Sequence, residues 1–166
     1  FFVFLILLID KNLINIIFKK KIFFKMQNNT NFFSNLIRNI KNINWLGKPH
    51  PNDEKNKVVT DTISEYKKIC SNSKHILPFP NNATIASIPK FVHVVLTHSG
   101  SASYEYPCMG IPVFQACETV CSGRGFTIDP GSKKEYFDLL YKIEKIGKLN
   151  KDQIDKAKIY VFIYSE

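Results

Sequence analysis

The stretch that most constrains this chain runs from Phe91 to Pro112, Phe-Val-His-Val-Val-Leu-Thr-His-Ser-Gly-Ser-Ala-Ser-Tyr-Glu-Tyr-Pro-Cys-Met-Gly-Ile-Pro. It opens on Val92, Val94, Val95 and Leu96, a short apolar run rich in β-branched residues and bounded by turn formers, which predicts a buried strand of a parallel sheet. Ser99, Gly100 and Ser101 then turn the chain. Ser101 suits the N-cap of a helix that begins near Ala102 and ends at Gly110, a residue suited to the C′ position. Ile111 to Phe114 starts the next strand. A strand, a small-residue turn and a helix leave free backbone N–H groups above the turn, where an anion, most often phosphate, is held. Glu105 falls about one turn into that helix, and its carboxylate is better suited to ribose or sugar hydroxyls than to the phosphate itself.

A length of 166 residues bounds the chain to one domain with its own core. Lys plus Arg number 23 against 14 Asp plus Glu, a net charge of +9, which invites a nucleic-acid reading. The abundance of Lys, Asn, Ile and Phe points instead to compositional background, and only Arg38 and Arg124 are arginines. Bidentate phosphate recognition favours Arg, so no specific nucleic-acid partner is expected. Cys70, Cys108, Cys117 and Cys121 follow neither a paired metal-ligand spacing nor a secreted disulfide scaffold, which fits a reduced, cytoplasmic chain. Cys117 and Cys121 could approach His98, a weak metal pattern, and no metal or other cofactor is expected.

Along the chain, Phe1 to Ile9 is apolar, Asp10 and Lys11 interrupt, and Leu13 to Phe18 precedes Lys19, Lys20 and Lys21. That is too broken for a membrane span and lacks the leading basic region of a signal peptide. Residues 1–25 are expected to be a remnant of a preceding part of the fold, once a core strand and its loop. Residues 26–166 are expected to be the main domain, truncated at both ends. Helical spacing appears over Asn31 to Asn42 and over Asp61 to Cys70, with strands at Asn44 to Leu46 and Ile76 to Leu77. Asn81 to Lys90, with Ile85 and Ile88, reads as a short helix closed by Pro89. Pro112 to Gln115 is a strand, and Gly123 and Gly125 in the loop that follows permit positive φ or close approach to a ligand. Ser132 caps a helix with Glu135 at capping-box spacing and a buried stripe of Tyr136, Leu139, Leu140, Ile143 and Ile146. Lys151 to Tyr164 is a further helix. Alternation of strands and helices predicts a parallel three-layer α/β domain with helices on both faces.

Three motifs, in order, carry a resemblance. Asn44-Trp-Leu-Gly-Lys-Pro-His-Pro, Thr97-His-Ser-Gly-Ser-Ala-Ser-Tyr-Glu-Tyr-Pro-Cys-Met-Gly-Ile-Pro and Ser122-Gly-Arg-Gly-Phe-Thr resemble the C-terminal half of bacterial capsule-polysaccharide glycosyltransferases of GT-B architecture, the capsular Kdo-transferase type above all. The resemblance spans roughly residues 31 to 160 and implies a Rossmann-like donor-nucleotide domain, one of two that clamp a nucleotide sugar. Gly47, Cys121 and Arg124 depart from the family pattern.

What the resemblance implies for the site is specific. Lys48 and His50 would hold the donor phosphate, and Ser99, Gly100, Ser101 and Ala102 would present backbone donors to it. Glu105 would accept from hydroxyls, and the loop containing Gly123, Gly125 and Thr127 would close over the sugar. CMP-Kdo is the favoured donor, with a UDP-sugar next, and a polysaccharide or lipid-linked acceptor would meet a separate N-terminal domain that supplies the catalytic base. Peripheral association with the inner face of the cytoplasmic membrane is compatible with such work. Alternative readings are a catalytically inactive nucleotide-binding or interaction fragment, a sugar-nucleotide 2-epimerase-like enzyme, and, ranked last, a basic nucleic-acid-binding module.

Overall fold

The computed structural model describes residues 5–7, 39–48, 68, 70–80, 82–97 and 100–164. Within them the chain forms a mixed α/β domain around a five-stranded sheet of order β3-β2-β1-β4-β5. The strands are β1 (Leu5–Leu7), β2 (Trp45–Lys48), β3 (Ile76–Pro78), β4 (Val95–Thr97) and β5 (Val113–Gln115). The helices are α1 (Ile88–Phe91), α2 (Ala102–Cys108), α3 (Lys133–Tyr141) and α4 (Lys151–Tyr164), with a 3-10 turn at Ile143–Lys145.

The pairs β2/β3 and β4/β5 are parallel, as the alternation of strands and helices predicts. β1 departs from the expected all-parallel sheet by running antiparallel to both β2 and β4. Parallel neighbours need a crossover that carries the chain back to the starting edge, whereas an antiparallel strand can enter from the opposite edge. The other four strands consequently share one direction, and their carboxyl ends lie along one edge of the sheet.

Alternation along the strands sends side chains to two faces. Trp45, Ile76, Leu96 and Phe114 pack on one face with Tyr136 and Leu140 of α3 and Ile143. Leu46, Val95 and Val113 pack on the other with Ala102 and Tyr106 of α2 and Ile88 of α1. Trp45 also donates its indole N–H to the Ile40 carbonyl at 3.1 Å, so the largest side chain of the first face carries no orphaned donor.

Local signals account for several boundaries. α2 stops in a Schellman turn: Gly110 has φ 78°, its N–H donates to Pro107 O, and the Ile111 N–H donates to Tyr106 O. Ser132, extended at φ −153°, accepts the Glu135 N–H at 3.1 Å and starts α3. The Glu135 carboxylate reaches back to the Gly131 N–H at 2.8 Å, one residue earlier than in the usual capping box. Asn150 and Gln153 cap α4 reciprocally, each side-chain oxygen accepting the other's backbone N–H at 3.0 Å. Replacing Ser132 with Ala should cost about 1 kcal/mol. In a chain of this size that lowers the melting temperature by about 2–4 °C in a thermal scan.

Other boundaries differ from expectation. Pro89 stands in the first turn of α1 and does not close a helix, because its fixed φ and missing N–H are harmless there. Ile85 precedes that helix in a turn and is 76% exposed, so the helix starts later than the expected Asn81. Of the expected helix at 31–42 only 39–42 are described, and past Asn39 they form a turn, while of that at 61–70 only residues 68 and 70 are described, both helical. No helix among the described residues is long and apolar enough to cross a membrane.

Candidate functional site

The common direction of β2, β4 and β5 brings Lys48, Thr97 and Gln115 to one edge of the sheet. Leu5 of β1 stands opposite Lys48, while Ile6 stands opposite both Gly47 and Leu96. The ends of β2 and β4 are therefore level and two strand spacings apart, about 10 Å. The turn after β4 and the glycine loop after β5 both leave from this edge, since Thr97 and Gln115 are directly paired.

In the turn after β4, Gly100 has φ 107°, a conformation that side chains other than hydrogen rarely adopt. Ser103 N–H donates to Gly100 O at 3.0 Å, and the Tyr104 and Glu105 N–H groups both donate to Ser101 O, at 3.0 and 2.9 Å. The amides of Gly100, Ser101 and Ala102 have no acceptor among the described residues. Ser101 does not act as the expected side-chain cap. It lies at φ −60°, ψ −27°, already helical, and its side chain accepts no hydrogen bond. A side-chain cap needs an extended residue, and here the turn closes through backbone carbonyls instead. Glu105 stands exposed in the first turn of α2, as the sequence suggested.

Of the residues expected to hold the donor phosphate, His50 and Ser99 lie outside the described residues. Lys48 closes β2 at the expected edge, and its side chain is likewise outside them.

Beneath the turn is a buried polar group that sequence reasoning missed. Thr97 and Ser103 are fully buried, and Gln115 is 2% exposed. Ser103 donates its hydroxyl to Gln115 Oε1 at 3.4 Å, whereas Gln115 Nε2 has no acceptor among the described residues. Buried donors are nearly always paired, so this amide at the sheet edge is an anomaly that calls for an explanation. The available signal was parity: Gln115 lies two residues after the inward Val113 and must face the same helix.

The glycine loop after β5 is shaped by its own hydrogen bonds. Gly123 and Gly125 have φ 72° and 83°, so both supply the positive φ that the sequence suggested. Open space surrounds the Cβ position of Gly123, which assigns that glycine to backbone conformation and not to close packing. Asp129 is the organiser that sequence reasoning overlooked: one of its oxygens accepts both the Gly123 N–H and the Thr127 hydroxyl, each at 2.9 Å. The Thr127 hydroxyl also lies 3.3 Å from Cys121 O. The Thr127 hydroxyl and the Gly123 amide are thus both engaged by Asp129 within the loop. Gly123, Arg124 and Gly125 remain exposed.

Cys121 is buried, Cys70, Cys108 and Cys117 are half-buried, and none of the four is in a disulfide among the described residues. Burial raises the thiol pKa of Cys121, opposed by hydrogen bonds from Tyr160 and Thr119. Cys117 is raised by burial as well. Among the described residues no group of three His, Cys, Asp or Glu side chains is arranged to hold a metal ion, and His98 lies outside them.

α4 packs across α2 and the glycine loop. Tyr160 and Ala157 join Cys121 and Phe126 in a third apolar cluster, with Tyr104 and Cys108 against it. Gln153 Nε2 donates to Gly125 O at 3.3 Å, and the Leu149 N–H donates to Gly110 O at 3.1 Å.

The arrangement can hold an anion against free amides, present a carboxylate to hydroxyls and border both with a glycine loop. Compared with protein-family models, with curated proteins and with solved structures, the chain matches none.

Proposed function

We infer that this chain is the donor-binding half of a glycosyltransferase of capsular or surface-polysaccharide synthesis, built on a Rossmann-like sheet. It would take a nucleotide-activated sugar, CMP-Kdo first and a UDP-sugar next. The observation that carries the reading is the convergence, at one edge of the sheet, of the Gly100 turn with its three unpaired amides, the exposed Glu105 and the glycine loop. The level carboxyl ends of β2 and β4 at that same edge support it further, since open α/β sheets bind ligands outside the carboxyl ends of their strands.

In this reading the amides of residues 100–102 stabilise the charge that grows on the departing nucleotide phosphate, a preorganised electrostatic role. Lys48 and, by the sequence resemblance, His50 add positive charge from the end of β2. Glu105 orients the ribose or sugar through its hydroxyls. The base that activates the acceptor comes from a separate N-terminal domain.

CMP at millimolar concentration should raise the melting temperature, and Glu105→Gln should remove most of that rise while leaving the unliganded melting temperature unchanged. Absence of any rise with CMP or UDP would refute the reading. A second reading, a nucleotide-binding module without transfer activity, is favoured by the engagement of Thr127 and Gly123 with Asp129. Sugar transfer by the chain supplied with an N-terminal half separates the two.

A further inference from the structure

Tyr160 of α4 joins two parts of the candidate site that are remote in sequence. Its ring centroid lies 5.8 Å from that of Tyr104, the residue before Glu105 on α2, and 5.6 Å from that of Phe126 in the glycine loop. The Arg124 guanidinium, between Gly123 and Gly125, sits 5.2 Å above the Tyr160 ring and 5.4 Å from the Tyr164 ring. These two tyrosines stack at 4.8 Å, giving the cation a two-ring platform.

The glycine loop leaves the sheet at Ala116, whose N–H donates to Thr97 O, and rejoins it where Ile128 bridges Phe114. Asp129 fixes the loop's internal shape. Its height above α2 is set from outside, by the Phe126 ring seated on Tyr160 and by Gln153 holding Gly125 O.

We propose that Tyr160 is a positioning residue of the donor site, coupling the glycine loop to the helix that bears Glu105 so that the two keep one spacing around the ligand. The ligand in this statement rests on the nucleotide-sugar reading above; the mechanical coupling does not. Packing and the cation–π platform belong to the ring, so Tyr160→Phe retains them, whereas Tyr160→Ala removes them.

The test is hydrogen exchange on the full chain without ligand, combined with CMP titration, for wild type, Tyr160→Phe and Tyr160→Ala. In Tyr160→Ala, exchange over residues 121–128 should quicken about tenfold while 94–97 and 113–115 stay protected, a local opening distinct from global unfolding. CMP should then bind about tenfold more weakly, and Tyr160→Phe should stay within about twofold of wild type in both readouts. If Tyr160→Ala loosens the sheet as well, Tyr160→Leu, which retains apolar bulk without the ring contacts, should free the loop with the sheet intact. Unchanged loop protection in these variants overturns the proposal, and so does a loosened loop with unchanged CMP affinity. A wild-type chain that binds neither CMP nor UDP overturns the nucleotide reading, while the exchange data still decide the coupling.

Discussion

Titrated upward from neutral pH, the chain should unfold cooperatively between about pH 10 and 12. Burial raises the phenol of Tyr106 far above its ordinary value of 10.0, with the neighbouring Glu105 charge adding to it, and burial does the same to Tyr136. A group with a raised folded pKa contributes stability that is intact below its unfolded pKa and is lost as the pH climbs from there toward the folded value. Each of these two phenols, neutral in the folded chain and ionising near pH 10 once unfolded, thus disfavours the native state by about 1.4 kcal/mol per pH unit above that point. Two together reach about 4 kcal/mol by about pH 11.5, a large fraction of a domain's stability. Cys121, raised by burial from 9.0, starts the decline somewhat earlier. Circular dichroism followed against pH reads the transition. The double variant Tyr106→Phe, Tyr136→Phe should move its midpoint upward, and an unmoved midpoint would show that these phenols do not drive it.

Phe114→Ala should lower stability by about 3–5 kcal/mol, seen as a shift of the urea midpoint with little change in slope. The residue is fully buried at the centre of β5, and Tyr136 of α3 meets it edge-on at 6.4 Å. Its backbone joins Leu96 of β4 on one side and the bridge to Ile128 on the other. Truncation therefore opens a cavity where three segments meet, and the site can collapse little without dragging the glycine loop's anchor with it. Phe114→Leu, which retains most of the volume, should cost less than half as much.

Features set by neighbours in sequence were legible. The apolar run before Thr97 foretold β4, Gly110 foretold the end of α2, and Ser132 with Glu135 foretold the start of α3. The span Lys151–Tyr164 is the helix the sequence suggested. Features set by distant partners were not legible. β1 pairs with residues some 40 and 90 positions later, and nothing in Leu5–Leu7 encodes the direction of that pairing. Asp129 reads in sequence as part of an Asp-Pro turn, and its hold on Gly123 and Thr127 appears only once the loop has folded back. Tyr160 was hidden for another reason. α4 buries Ala157 and Tyr160 while leaving Ile159, Phe162 and Ile163 exposed, so the aliphatic residues that usually mark an inward face point away. Of the candidate site, the turn after β4, Glu105 and the positive φ of Gly123 and Gly125 were visible in advance, whereas Gln115, Asp129 and Tyr160 needed three dimensions.

The seating of α4 on Phe126 and Tyr104 bears on how the protein is made. During synthesis, residues up to Lys145 emerge with both sheet faces supplied, yet Phe126 and Cys121 still lack their cover. Until the ribosome has released the chain past Tyr160, that aromatic surface stays open to chaperones and proteases. A chain interrupted before Tyr160 would thus yield a product marked for disposal, not a slightly weakened one.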